Sequence, residues 1–412
     1  MRAGPPLFIG QIMTVFEVAR PAPAGEHGMD RHDPYAAALA RCIALLQRVS
    51  DIDGDRAPRL GNADLSWTYC PEHDWVASFR IGTLWLAYQE TGRDYFRGRA
   101  RARDAYYDRL LVTTDWHDHD LGFLFSLSCV ADYRLTGREA ARQRALGGAR
   151  LLASRFVDNG GYLLAWDEKI AFDNNEKGEA WARFVKGRMI ADTMQNLALL
   201  YWAAEQEGDP RLAEIATRHA QTAAQYLVRP DGSSFHTFAF DPRTGAPVGG
   251  ATHQGYADAS CWSRGQAWLI HGFAQTYALS GEAFSLEAAR KVCARFEQLM
   301  GDDMVPVWDF DAPREDNMPV DSSAGAIAAA GYLLLASLVE GDERRRWHTM
   351  GLRLLDGLLQ RCDLTDNPQA HGFLDEGAAN VPKGRVRSML PYGDYYLMEA
   401  LMRAAGHHRF FW

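Results

Sequence analysis

One punctuation recurs along this chain. A long apolar helix runs to a glycine, and a charged amphipathic helix begins just after it. The pattern stands at WLAYQETGRDYFRGRARARDAYY, VADYRLTGREAARQRA, LLYWAAEQEGDPRLAEIATRHA, FAQTYALSGEAFSLEAARKV and LLLASLVEGDERRRWHTMGLRLL. A last copy, LMEALMRAAG, is cut short by the C-terminus. The glycines are Gly92, Gly137, Gly208, Gly281, Gly341 and Gly406, spaced 45, 71, 73, 60 and 65 residues apart. Each suits a helix C-cap, where the backbone turns left-handed. The first helix of each pair is apolar on every side and so belongs inside; the second has a polar face and belongs outside. Six such hairpins predict an all-α (α/α)6 toroid, one domain over residues 30–412. Residues 1–29, rich in Pro and Gly, read as a disordered lead-in. An open solenoid of helix pairs is the alternative. The count of six and the irregular spacing favour closure.

The irregularity comes from long inserts at 156–188, 229–257, 300–321 and 363–393. Their DNGGY, PDGSS, DPRTGAP and DAPREDNMP stretches are turn chemistry. Every insert precedes an inner helix. In a toroid all inner-helix N-termini share one end. The polar clusters at those starts are His73-Asp74-Trp75, His119-Asp120, Asp192, Ser260 with Arg264, Asp321-Ser322-Ser323, and Tyr392 with Asp394. They therefore converge on one cavity.

Composition narrows the partners. The formal charge of −9 argues against nucleic acid or an anionic membrane. No stretch reaches the ~18 apolar residues of a membrane helix. The six cysteines are scattered without a CxxC pair, which reads as buried reduced thiols. The N-terminus lacks a signal-peptide pattern. A cytoplasmic location is the expectation.

Two acids stand at the mouths of apolar helices: Asp192 in IADTMQNLALLYWA and Asp120 in HDHDLGFLFSLSC. A carboxylate entering a core is costly unless it is paired or used. The structural explanation is a first-turn Asp answering the helix dipole, or for Asp192 an ion pair with Arg188. The functional one is acid/base chemistry. The alternating WHDHD run contains metal-ligand types, but no helical ligand spacing follows it, so neither metal nor cofactor is expected. In THQGYADASCWSRGQAW, His253 and Gln254 are loop donors. Arg264 and Trp268, four apart on one helical face, offer a platform for a ring bearing a carboxylate. His236 follows a turn, and Trp166 is an aromatic on the first insert. Ser322 and Ser323 lack a GxSxG setting and a plausible base, which argues against a serine nucleophile.

HDLGF, DTMQNLALLYWA, ATHQGYADASCWSRGQAW and YGDYYLMEAL occur in this order. Together they resemble the unsaturated glucuronyl hydrolases, glycoside hydrolase family 88, over nearly the whole chain after residue 35. The resemblance implies an (α/α)6 barrel and removal of the Δ4,5-unsaturated uronic acid that polysaccharide lyases leave on oligosaccharides. It implies hydration of a vinyl ether rather than attack at the anomeric carbon, with Asp192 as general acid and then base, and hence a raised pKa on Asp192. Asp120 matches the second essential acid and His119 its neighbour. Trp166, His236, Gln254, Arg264 and Trp268 match substrate-binding positions. The implied partner is an anionic unsaturated oligosaccharide of the glycosaminoglycan type. The family often carries a Ser- and Lys-bearing segment before YGDYY; here Lys383, Arg385, Arg387 and Ser388 supply positive charge instead. The alternatives are an unsaturated rhamnogalacturonyl hydrolase acting on pectin fragments, a sugar epimerase on the same barrel using histidine pairs, and a non-enzymatic helical scaffold.

Overall fold

The computed structural model describes residues 33–113, 117–167 and 178–412. The expected lead-in, 1–29, and Trp116 of the WHDHD run lie outside the described residues. The chain opens with α1 (Pro34–Asp53), capped by the Asp33 carboxylate with Pro34 in its first turn. The first hairpin is α2 (Phe79–Thr91) with α3 (Asp94–Arg101) and α4 (Asp104–Val112). The second inner helix is built of α5 (Leu121–Phe125), a π-helical turn over Ser126–Val130, and α6 (Ala131–Thr136), backed by α7 (Glu139–Ala153). A short helix, α8 (Glu179–Val185), belongs to the first insert. Then α9 (Thr193–Glu207) pairs with α10 (Pro210–Tyr226), and α11 (Ser263–Ser280) with α12 (Ala283–Met300). The last pair is α13 (Ser322–Leu338) with α14 (Gly341–Arg361), followed by α15 (Pro391–Ala404).

The inner helices pack each on the next, and α15 returns to α2, so the ring closes as an (α/α)6 barrel. The outward amphipathic partners bury one face only; α9, by contrast, is buried continuously from Thr193 to Ala203. The sixth hairpin is not truncated, contrary to the sequence reading. Its outer member is α1, from the opposite end of the chain, which packs on α15. Arg41 of α1 pairs with Asp363 at 2.7 Å just past α14. Arg99 of α3 donates to the Gly54 carbonyl at 2.7 Å. Six hairpins built from cyclically offset halves join the two ends of the described chain.

Gly92, Gly137, Gly208 and Gly281 end their helices in the left-handed region, as expected. Gly341 is also left-handed but opens α14 instead, because α13 unwinds at Val339. Gly406 lies one residue beyond the cap of α15.

Close approach, not turning, is the role of Gly122. A Cβ there would sit 2.3 Å from the Asn196 Cα. Only a residue without Cβ lets α5 cross α9 at that distance. Asp120 precedes this crossing on one helix and Asp192 precedes it on the other, so the crossing sets how the two acids face each other.

The inserts add a feature that short segments hide from sequence reading: a three-stranded antiparallel sheet of Arg188–Ile190, Thr237–Phe240 and Pro247–Ala251. Ile190 pairs with Thr237, and Thr237 with Ala251. That register carries Asp192, His236 and Thr252 to the same edge. All six cysteines are free, five of them buried. Among the described residues no helix is long and apolar enough to cross a membrane.

Candidate active site

The six polar clusters do meet at one end. The Tyr392 hydroxyl, raised by burial, feels Arg264, Asp321, Asp192 and Asp74, which belong to four other inner-helix starts. Trp75 stacks on Tyr392 at 5.0 Å, and its neighbour Asp74 adds to the field on Asp120.

The acids at these starts divide by what they do. Asp74 caps its helical turn through Val76 N at 3.0 Å, and Asp321 caps α13 through Ser323 N at 3.1 Å. Asp394 accepts the Phe373 amide at 2.8 Å. These three serve the fold. Asp120 and Asp192 occupy N-cap positions of α5 and α9, yet neither side chain caps its helix. The capping explanation therefore fails for the two acids the sequence singled out. Arg188 does not explain Asp192 either. Its guanidinium donates to the Phe184 carbonyl and to Thr237 Oγ1 at 2.9 Å and lies over the Phe184 ring.

Four buried polar atoms around these acids have no hydrogen-bond partner among the described residues: Asp120 Oδ1, His119 Nδ1, Asp192 Oδ2 and His236 Nε2. His119 Nδ1 stands 3.3 Å from Asp120 Oδ1, and His236 Nε2 stands 3.7 Å from Asp192 Oδ2. The second separation is too long for a hydrogen bond. Buried polar atoms are normally satisfied; four that are not, in one place, mark a site built for a polar ligand.

The charge distribution corrects one expectation. Burial pushes the Asp120 carboxyl well above the usual range, and the nearby Asp118 and Asp192 push it further. Asp192 is also pushed up by burial, but His236, His119 and Arg264 outweigh that, and it ends below the ordinary value. The raised pKa thus sits on Asp120, not on Asp192 as the sequence reading had it. Asp118, whose Oδ1 accepts the Asp120 amide at 2.8 Å, is raised to about 6 by its burial. His119 falls to about 3 through burial, so its ring is neutral. Three carboxylates and two neutral imidazoles in a water-poor space hold protons jointly rather than singly.

The first insert covers this end. Arg155 binds it down by donating to Leu164 O at 2.9 Å and to His117 O at 2.6 Å, and His119 N donates to Ala165 O at 3.1 Å. Trp166 is thereby held edge-on to His119, with ring centroids 5.8 Å apart. Trp181 and Phe184 of α8, together with His253, complete an aromatic wall around it. This wall forms its own small apolar cluster, separate from the barrel core.

Gln254 reaches the site's edge, donating to the Ala379 carbonyl at 2.8 Å. The Arg264–Trp268 platform is not what forms. Arg264 is almost fully buried. It pairs with Asp321, donates to Ala378 O at 2.8 Å and Ala379 O at 2.9 Å, and lies over Trp262. Trp268, one turn deeper, is fully buried against Phe123 and Tyr396. Residue spacing put the two on one face; the depth of an inner helix separates them. Arg264 acts on the site as a fixed positive charge under Asp192 and as the clamp on the 378–379 backbone. The basic stretch before α15 folds back beside it through Asn380–Arg385 and Gly377–Ser388 bridges. Sequence reading missed Asn196, whose amide contacts Asp120 and whose Oδ1 accepts Phe123 N at 2.6 Å, because a single Asn inside an apolar helix carries no pattern. Among the described residues no group of three metal-ligand side chains is assembled.

No protein-family model matches the chain. The unsaturated glucuronyl hydrolase of Bacillus sp. (strain GL1) is 39% identical over 358 residues, which covers 85% of this chain and 91% of that protein. The unsaturated chondroitin disaccharide hydrolase of Streptococcus pyogenes serotype M1 is 33% identical over 350 residues, 84% of this chain and 85% of that one. The crystal structure of the Bacillus sp. GL1 unsaturated glucuronyl hydrolase, described as responsible for glycosaminoglycan degradation, superposes with a TM-score of 0.82 at 36% identity. That match covers 90% of this chain and 96% of the other.

Proposed function

This chain belongs to the unsaturated glucuronyl hydrolase family, and from that premise we propose that it removes the non-reducing-end Δ4,5-unsaturated glucuronic acid from lyase-generated oligosaccharides of the glycosaminoglycan type. The observation that carries this reading is the set of four unpartnered atoms on Asp120, His119, Asp192 and His236. They offer acid, base and donors to one polar ring, within reach of an aromatic wall suited to a sugar face.

The reaction is hydration followed by collapse. Asp192 gives its proton to C4, and the electron pair of the C4=C5 bond takes it up. The ring oxygen stabilises the cation at C5. Water adds at C5 and returns its proton to Asp192, which ends as it began. The C5 hemiketal opens to a ketone by breaking its bond to the ring oxygen. The C1 hemiacetal then expels the saturated sugar as an alcohol. The rule that relates carboxylate separation to stereochemistry does not govern this path, because C1 is not the centre attacked.

The pKa order fits such a cycle once the substrate's own charge is counted. Before substrate binds, Asp192 is ionised because His236, His119 and Arg264 favour its anion. A uronate carboxylate brought beside those donors adds negative potential and raises Asp192. Asp120, already raised, holds the proton that the pair needs. Trp166, Gln254 and the donor His119 line the bound ring, and Arg264 and Trp268 support it from below. The six free cysteines support placing the protein in the cytoplasm. The test follows ultraviolet absorbance of the conjugated C4=C5 carboxylate with unsaturated chondroitin, hyaluronan and heparin disaccharides. Loss of absorbance with release of the amino sugar is expected; unchanged absorbance on all three rejects the reading.

A further inference from the structure

His236 stands beside Asp192, and a neutral imidazole there has two tautomers with opposite consequences. With the hydrogen on Nδ1, Nε2 is a base able to take the proton of Asp192. With the hydrogen on Nε2, it is only a donor. The surroundings of Nδ1 decide between them. The backbone N–H of His253 points at His236 Nδ1 at 3.2 Å. A backbone N–H has no acceptor role, so a hydrogen on Nδ1 would set two donors against each other. Thr252 Oγ1 lies 3.1 Å from the same nitrogen. That hydroxyl accepts Gly255 N–H at 2.7 Å, and toward an Nδ1 that the His253 N–H makes an acceptor it can only donate its own hydrogen. The Thr252 amide is in turn anchored to Asp258 Oδ1 at 3.0 Å. Both neighbours of Nδ1 are therefore donors.

We propose that Thr252 and the His253 amide lock His236 in the Nε2–H tautomer, so that His236 is a permanent donor toward Asp192 and takes no proton during turnover. Thr252 is a positioning residue acting through His236. The proposal rests on the hydrolase reading above and deepens it. With Nε2 already bearing hydrogen, the proton that leaves Asp192 cannot rest on His236. Asp192 must serve both steps, as acid to C4 and as base to water.

The groups facing this pair come from five elements. Asp192 meets His236 and Arg264 from below, and His119 and Asp120 from the start of α5. The Tyr392 hydroxyl approaches it from α15. His236 meets Arg188 from the adjoining strand and lies tilted against Trp262, with ring centroids 4.2 Å apart. Both Arg188 and Arg264 disfavour a second proton on His236, as does its burial, which has the largest effect.

The test is nitrogen NMR of histidine-labelled full-length protein, with His236 assigned by its absence in His236→Gln. The expected spectrum shows Nδ1 unprotonated and Nε2 protonated, unchanged from about pH 5.5 to 8. A protonated Nδ1, or titration of the ring in that range, overturns the proposal. This readout needs no substrate, so it fails or stands independently of the hydrolase reading. Thr252→Val removes one of the two donors. The expected result is a mixed tautomer and a loss of about 10-fold in kcat with little change in KM, a modest share of the ~10²–10⁴-fold that a positioned acid–base group supplies. Thr252→Ser restores both. A Thr252→Val protein with the wild-type tautomer and a wild-type rate overturns the role of Thr252. A lower rate with the tautomer unchanged also overturns it, since that is a packing defect only.

Discussion

Gly122→Ala adds one methyl group where α5 crosses α9, and its consequences follow from a distance. The new Cβ would lie 2.3 Å from the Asn196 Cα and 2.5 Å from its Cβ. Carbon atoms rest at about 3.5 Å or more, so the helices must part by roughly 1 Å at this point. The obstacle is backbone, not the far end of a flexible side chain, so no rotamer change relieves it. Overpacking of this kind costs about 1–3 kcal/mol. The rate falls further than the stability. Asp120 lies two residues before Gly122, and Asp192 lies four before Asn196. Parting the crossing therefore moves one acid relative to the other, and a ~1 Å error in catalytic geometry costs about 10²-fold. We expect kcat on an unsaturated disaccharide to fall by about that factor, KM to change little, and the melting temperature to drop by a few degrees. Gly98→Ala is the control. Gly98 lies exposed in α3 with nothing within 4 Å of an added Cβ. Alanine there gains about 0.5–1 kcal/mol from helix propensity and leaves kcat alone. Wild-type kcat and melting temperature in Gly122→Ala would refute the claim that this crossing sets the two acids.

Asp192→Asn is expected to cut kcat by about 10²–10⁴-fold with the fold retained, and Asp120→Asn to do the same; a near-normal rate for Asp192→Asn, measured on folded protein, removes it as the acid. Asp394→Asn tests stability against pH. Burial raises Asp394 to about 7 from 3.8, so its stabilising protonated form is fully present below 3.8 and lost as pH rises through 7. Over that window the wild type loses about 4 kcal/mol that the neutral amide keeps, so the melting temperatures of the two proteins should diverge from pH 5 to pH 8. Parallel curves would show that Asp394 is not buried as a neutral acid.

The barrel was legible because its signal is long-ranged and redundant. Whole helices apolar on every side have one place to go, and six of them with amphipathic partners fix a ring. The convergence of the inner-helix starts followed from topology without any pairwise contact. What escaped was local. The strand Arg188–Ile190 has three residues, too few for an alternating pattern, yet it brings His236 beside Asp192. The closing of the sixth hairpin by α1 needs a contact between the ends of the ring, which no local pattern encodes. Arg264 and Trp268 were misjudged for a different reason. Helical spacing gives a shared face but not depth, and one turn down an inner helix leads from the cavity into the core.

The two ends of the barrel show why an unmatched carboxylate facing an unmatched imidazole, rather than a buried charge as such, marks the site. Glu399 lies toward the C-terminal end of α15 and is as deeply buried as Asp120. Both of its oxygens are occupied: His271 Nε2 at 3.0 Å and Arg403 Nη2 at 2.7 Å meet Oε1, and Trp412 Nε1 donates to Oε2 at 2.8 Å. Burial raises its pKa, but Arg403 and His271 prevail and hold it near 2. It is an anion with both oxygens hydrogen-bonded, fixing the last turn of α15 to the aromatic plug of Trp412. Asp120 has a similar depth and the opposite fate: raised, with Oδ1 left unmatched beside an unmatched His119. Leaving a buried polar atom unsatisfied costs ~1–3 kcal/mol. A fold that satisfies the carboxylate at one end of the barrel and leaves those at the other unmatched places its strain where a substrate, by supplying the missing partners, recovers it.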